Sequence, residues 1–136
     1  MGPRPQQQAA VIPFRRNGHE VSLCLITAAA SRSWGIPKGT IERGMSPEDT
    51  ALQEAWEEAG LRGRIVGDSL GSYEYEKAGV LLTVAVYLME VEVEAEQWDE
   101  QELRGRRWVL ARDAARLLET HPAWPLVGEA RKRLAG

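Results

Sequence analysis

Between Ser46 and Gly60 the chain carries a helix with both of its ends written into it. Ser46 is a good N-cap, Pro47 suits the first helical position, and Asp49 follows the serine by three residues. Gly60 then supplies the left-handed residue on which helices stop. The segment predicts a helix over Pro47–Ala59, and on both sides of it the pattern is that of strands. Residues 9–15 and 21–27 read as a pair joined at Asn17-Gly18, a dipeptide that supplies the positive φ of a hairpin turn. Residues 64–70 and 71–76 read as one or two strands. After a turn at Lys77-Ala78-Gly79, residues 80–93 form a long strand, whose nearly continuous apolar start predicts burial on both faces. Residues 28–33 are a small-residue loop, and the stretch from Gly35 to Gly39 is too rich in Gly and Pro for a long regular element. An acidic loop over 94–104, a short strand over 106–110 and helices over 112–120 and 125–134 complete the pattern. A capped helix between β-patterned runs, with helices at the end, must lay its apolar stripe on a sheet, which predicts an α/β (α+β) sandwich.

The helix is also where the chemistry gathers. On a wheel of about 100° per residue, Leu52, Ala55, Trp56 and Ala59 share one arc and should face the core, while Glu54, Glu57 and Glu58 share the opposite arc. Like charges at i, i+3 and i+4 cost a helix roughly 0.2–0.5 kcal/mol per pair. Acids near a helix C-terminus also oppose its dipole. From Ser46 to Leu61 there are five acids and no Lys or Arg. Two readings account for this: an acidic solvated face, or a cation site. Clustered carboxylates without sulfur or imidazole suit magnesium or manganese better than zinc. The preceding loop places Lys38 among Gly35, Gly39 and Gly44, where a cation on a close-approaching backbone can meet a phosphate.

Charge along the chain follows the same division. Residues 1–47 carry a net +4, residues 48–102 a net −12 and residues 103–136 a net +5, giving −3 in all. An acidic middle between basic flanks is either chance clustering or a cation site beside an anion site. At 136 residues the chain fits one domain, expected over 9–136, with the polar residues 1–8 read as a disordered tail. The single cysteine, Cys24, excludes an internal disulfide and lies in an apolar run, as a buried thiol would. No apolar run reaches the roughly 18 residues of a membrane span, and the N-terminus lacks the apolar stretch of a secretory signal, so a cytoplasmic location is expected.

The segment from Gly39 to Leu61 resembles the Nudix box, G-x5-E-x7-R-E-U-x-E-E-x-G-U with U a bulky apolar residue. Gly39, Glu54, Glu57, Glu58, Gly60 and Leu61 match in register, and Ala55 is a smaller residue at an apolar position. Trp34-Gly35-Ile36-Pro37-Lys38-Gly39, Trp98-Asp99-Glu100 and Arg106-Arg107-Trp108 make the chain similar to the branch that holds diadenosine and diphosphoinositol polyphosphate hydrolases. The resemblance implies a Nudix-type α/β/α sandwich with a mixed central sheet. It implies hydrolysis of a phosphoanhydride in a nucleotide or polyphosphate, with Mg2+ or Mn2+ held by Glu54, Glu57, Glu58 and the Gly39 carbonyl. A carboxylate outside the box often serves as general base in this family. Glu100 is the candidate, with Glu102 and Asp99 behind it. Lys38, Arg32, Arg15 and Arg16 are candidate phosphate contacts. Tyr73, Tyr75 or Trp34 would stack on a base or pack in the core, and Tyr75 is the one retained as a substrate contact. His19 and His121 have no partners at metal-ligand spacing.

Two positions depart from the pattern: Met45 stands at the first box glutamate and Gln53 at the box arginine, which in the family orients the catalytic glutamates. Each change removes one charge, of opposite sign, as expected if the two positions are neighbours that lost an ion pair together. The same departures raise a second reading, a Nudix-fold sensor that binds a nucleotide without cleaving it. A third, removal of pyrophosphate from RNA 5' ends, rests on Arg131-Lys132-Arg133; the net charge of −3 disfavours a nucleic-acid partner.

Overall fold

The computed structural model describes residues 6–135. Its first half is a meander of strands: β1 (Gln6–Asn17), β2 (Glu20–Thr27), and the short β3 (Trp34–Gly35) and β4 (Lys38–Thr40). Then come α1 (Pro47–Ala59), β5 (Leu61–Ile65), β6 (Gly71–Lys77), β7 (Val80–Glu94) and β8 (Arg106–Leu110), and last α2 (Ala111–Leu117) and α3 (Trp124–Ala135). All eight strands join one mixed sheet. Its spine runs β3-β2-β1-β7-β5, with β4 on β1, β6 on β7 and β8 on β2. The β1–β7 pair is parallel, and every other pair is antiparallel.

The period of two along each strand divides the interior into two cores. Ala10, Ile12 and Phe14 of β1, Leu23 and Leu25 of β2, and Val84, Val86 and Leu88 of β7 face α2 and α3. Ala9 and Val11, Cys24 and Ile26, and Met89 point the other way, onto Ala51, Ala55 and Ala59 of α1. A sheet covered on both faces is the expected α/β/α sandwich.

The capped helix forms as its sequence dictates. The Ser46 side chain accepts the Asp49 N–H at 3.0 Å. Gly60 sits at φ 66° and donates to the Ala55 and Trp56 carbonyls. Its buried stripe is rotated from the one the wheel predicts, however, taking in Thr50, Ala51 and Glu58 beside Ala55 and Ala59. Alanines 51, 55 and 59 carry the contact with β1, because only a methyl-sized side chain lets helix and sheet approach that closely. Leu52 and Trp56 lie at the margin, partly buried, with the Arg62 guanidinium stacked on the Trp56 ring at 4.0 Å.

Other expectations are corrected. The first strand starts at Gln6, so residues 6–8 are ordered strand and not tail; residues 1–5 lie outside the described residues. The polar composition of 6–8 misleads because β7 offers them a ladder, pairing Gln6, Gln7 and Gln8 with Leu82, Thr83 and Val84. Strand β5 begins directly after the Gly60 cap rather than at Arg64, and its ladder shifts at Arg62/Gly63. A Cβ at Gly63 would lie 2.8 Å from the Glu90 carbonyl carbon and closer still to its oxygen, so the crossing needs glycine. In β7 the apolar start is not where both faces are covered. Val80 and Leu81 are exposed at the Ala78-Gly79 turn, and burial begins at Leu82. Among the described residues no helix is long and apolar enough to cross a membrane.

Candidate active site

Pairing of β4 with β1 fixes the floor of the site. Lys38, Gly39 and Thr40 lie opposite Ala10, Ala9 and Gln8, and α1 crosses above them. Glu58 is turned inward, only 6% exposed, and its Oε1 accepts the Lys38 backbone N–H at 3.2 Å. Glu54 lies against Gly39. A Cβ at that position would come within 2.7 Å of the Glu54 Cγ and closer still to its carboxyl group. The box glycine is therefore the space into which the Glu54 carboxylate fits.

The carboxylates are under strain from one another. Burial, the charge of Glu58 and a hydrogen bond donated to Glu58 hold the Glu54 carboxyl well above the usual carboxylate range. Burial raises Glu58 as well, against the opposing pull of Arg104. Glu57 faces outward and accepts from the Gln53 amide at 2.9 Å. Among the described residues no three acidic, His or Cys side chains already converge on one point. Glu54 and Glu58 crowd against each other beside the Gly39 backbone, and Glu57 bonds Gln53. Carboxylate oxygens gathered beside a backbone carbonyl fit a hard divalent cation.

The acidic loop folds over the C-terminal end of α1. Trp98 Nε1 donates to the Glu58 carbonyl at 2.9 Å, Arg106 Nη1 to the Ala59 carbonyl at 2.7 Å, and the Ala95 N–H to the Gly60 carbonyl at 2.8 Å. These bonds satisfy carbonyls left open at a helix end whose last turn holds no basic residue. The same loop brings Glu100 to the cluster. Its N–H donates to the Glu57 carbonyl at 3.2 Å, and its charge is felt by both Glu54 and Glu58. Asp99 and Glu102 stay exposed.

Beside Glu58 opens a cleft of about 280 Å³ whose lining includes Trp34, Lys38, Lys77, Arg104 and His121. Lys38 Nζ donates to the Tyr75 hydroxyl at 2.8 Å, and that hydroxyl donates to Gln8 Oε1 at 2.9 Å, so Tyr75 aims the lysine. Lys38, Tyr75, Glu54, Glu57, Glu58, Gly39 and Glu100 thus lie in one neighbourhood, around the end of α1 and β4. Tyr73 is buried with its ring edge-on to His121, a packing role. Arg32, at φ 58°, sits in the loop that walls the cleft but does not line it.

Arg15 and Arg16 are not at the site. Five or six residues of extended strand beyond Ala10 carry them roughly 15–20 Å away. There Arg15 stacks on Trp108 at 4.0 Å and pairs with Glu94, while Arg16 donates to the Leu134 carbonyl at 3.0 Å. A larger cleft, about 440 Å³, opens at that far end beside Arg16, His19, Arg112 and Arg131, with none of the box carboxylates in it.

Sequence reasoning missed Gln8, Lys77, Arg104 and His121. The His121 ring accepts the Ala123 N–H at Nδ1, 3.0 Å, which leaves Nε2 to carry the proton of the neutral ring. Burial, then the Lys38 charge, lowers its pKa and favours that neutral form. No spacing in the sequence points to it, because it lies in the α2–α3 connection.

A NUDIX domain model matches residues 4–128 of the chain. Nudix hydrolase 4 of Arabidopsis thaliana is 31% identical over 114 residues, covering 76% of this chain and 55% of that protein. Human diphosphoinositol polyphosphate phosphohydrolase 3-alpha is 29% identical over 118 residues, covering 85% of this chain and 71% of that protein. The chain therefore spans just over half the length of the first of these relatives. In three dimensions it superposes on the Caenorhabditis elegans Ap4A hydrolase with a TM-score of 0.81, covering 97% of this chain and all of that one, at 20% identity. With the box in register, the carboxylates gathered on α1 and a family model spanning nearly the whole sequence, the chain belongs to the Nudix hydrolase family.

Proposed function

We propose that this chain hydrolyses a phosphoanhydride bond in a dinucleoside polyphosphate or a related polyphosphate. The observation that carries the reading is the cleft itself. Lys38, Lys77, Arg104 and the His121 N–H stand around one opening, with buried Glu58 at its edge and Glu54 and Glu100 beyond. Phosphoanhydride cleavage asks chiefly for charge neutralisation, in-line positioning and an activated water. Glu54, Glu57, Glu58 and the Gly39 carbonyl would hold Mg2+ or Mn2+, which the donor set fits. When bound, the metal supplies charge neutralisation and acidifies water.

The chain's own groups supply the rest. Lys38, aimed by Tyr75, and Lys77 hold phosphate oxygens as point charges. His121 donates a neutral hydrogen bond. Glu100, at the edge of the cluster, accepts the proton of the attacking water. The polyphosphate class is supported by the density of cationic donors in the cleft and by the similarity to a diphosphoinositol polyphosphate phosphohydrolase and an Ap4A hydrolase.

A panel with Mg2+ or Mn2+ tests this: dinucleoside polyphosphates, nucleotide sugars, nucleoside triphosphates including oxidised ones, a diphosphoinositol phosphate and a 5'-triphosphorylated RNA. Metal-dependent cleavage of a polyphosphate, lost in Glu57→Gln, is the expected result. Tight binding of a panel member without turnover of any would replace this reading with a sensor. Preference for the RNA, with strong salt dependence, would replace it with end processing.

A further inference from the structure

The box position that ordinarily holds an arginine is Gln53, and its amide reaches Glu57 alone. The carboxylates nevertheless have a guanidinium among them, supplied from outside the box. Arg104, on the loop between β7 and β8, donates from Nε to Glu100 Oε1 at 2.7 Å and pairs through Nη2 with Glu58 Oε2 at 3.5 Å. Its third edge is tied down, with Nη1 donating to the Thr27 carbonyl at 3.2 Å. The Arg104 side chain is 18% exposed and that of Glu58 8%. Among the described residues no other ion pair reaches Glu54, Glu57, Glu58 or Glu100.

We propose that Arg104 performs from the β7–β8 loop the positioning that an arginine at position 53 would perform from α1. It spans Glu58, a metal-ligand candidate, and Glu100, the candidate base, and fixes both carboxylates relative to the sheet. The inference rests on the hydrolase reading above.

The geometry separates this role from two others. A guanidinium meant to follow a substrate phosphate needs freedom, and the Thr27 bond removes it. A guanidinium serving only as a counter-charge needs no fork, and a lysine would serve as well. Here Nε and Nη1 donate to two separate acceptors while Nη2 faces Glu58 at 3.5 Å, an arrangement of one planar group that an ammonium cannot reproduce. The local chain holds the fork in place. The Arg104 N–H donates to the Glu100 carbonyl at 3.0 Å, so donor and acceptor side chains stand on one turn.

The test is Arg104→Lys, which keeps the charge and removes the fork, with Gln53→Arg made alone and in combination. Melting of each metal-free protein is followed alongside. Changing a group that orients a metal ligand typically costs about 10–100-fold. Arg104→Lys should lower kcat by at least about tenfold with KM within about threefold, and weaken Mn2+ binding by about tenfold in the absence of substrate. Gln53→Arg should recover most of the Arg104→Lys loss, and its effect in the wild-type background should be clearly smaller than that recovery, since either arginine can hold the cluster. Three results would overturn the proposal: a lysine variant equal to wild type in kcat and Mn2+ affinity, a loss confined to KM, or a Gln53→Arg effect identical in both backgrounds. Should the wild type cleave nothing on the panel, the hydrolase reading fails. The Mn2+ affinities of the same variants still decide whether Arg104 positions the carboxylates.

Discussion

Replacing Gly39 by alanine separates the site from the fold on which it rests. The new methyl would stand 2.7 Å from the Glu54 Cγ and nearer still to its carboxyl, whereas ordinary contact begins at 3.4 Å. The obstructed atoms are the far end of a flexible side chain, so the Glu54 carboxylate must retreat by about 1 Å while the backbone stays. The cost to the fold is small. An off-rotamer side chain costs about 0.5–1.5 kcal/mol, and replacing glycine by alanine returns about 0.4–1 kcal/mol through the unfolded chain. At roughly 3–5 °C per kcal/mol for a chain of this size, the melting temperature should move by only a few degrees. The site is affected far more. A displacement of about 1 Å in a positioned group costs on the order of 100-fold in rate, or about 2.7 kcal/mol. The assay is kcat on the best panel substrate at saturating Mg2+, with thermal melting in parallel. Gly63→Ala is the opposite control. Its methyl meets the Glu90 backbone and should cost roughly 1–3 kcal/mol or more of stability. Activity of Gly39→Ala within about threefold of wild type, or a loss accounted for by unfolding, would refute the reasoning.

Other outcomes follow from single side chains. Lys38→Met removes a cleft cation but keeps the backbone N–H that Glu58 accepts, so KM should rise by about tenfold with Mn2+ affinity unchanged; Tyr75→Phe, which only frees the lysine, should do less. Calorimetric Mn2+ titrations beside the kinetics distinguish this from a general collapse of the site. Burial pushes the Cys24 thiol up from 9.0 to about 12. Between those values the unfolded chain has lost a proton that the folded one keeps, so stability falls with rising pH by up to about 1.4 kcal/mol per unit. Cys24→Ala lacks that loss. Its deficit at neutral pH should therefore shrink above pH 9 in urea titrations, and a constant gap from pH 8 to 11 would contradict the burial.

What the sequence disclosed was what is decided locally. The bounds of α1 were legible because Ser46, Pro47 and Gly60 act within one turn of themselves. A covered sheet was legible in the order of the elements, a capped helix between β-patterned runs with helices at the end. The wheel went wrong at Glu58. It sets the acids opposite the core and treats that side as solvent, yet residues 95–106 fold across the end of the helix and β4 closes beneath it. A wheel contains no other segment, so a buried carboxylate cannot appear on it. Arg104 and His121 were hidden for the same reason, since each meets the site across the sheet from distant chain. Arg15 and Arg16 misled in the opposite sense. Their charge suited a phosphate, but strand length and the β1–β4 register place them at the wrong end. Gln8 was set aside for its composition, although pairing with β7 and a hydrogen bond from Tyr75 give it a place behind the phosphate-facing lysine.

The central claim is that the carboxylates of α1 drive metal-dependent cleavage, and it is tested most directly by the Mg2+-dependent kcat of Glu57→Gln beside wild type on the best panel substrate. The Glu57 side chain is half-buried and bonds only Gln53, so the substitution leaves the core intact. The account predicts a fall of at least about 100-fold, as for loss of a group that stabilises charge in the transition state, with the melting temperature unchanged. Turnover within about threefold of wild type, with the same Mg2+ dependence, would contradict it.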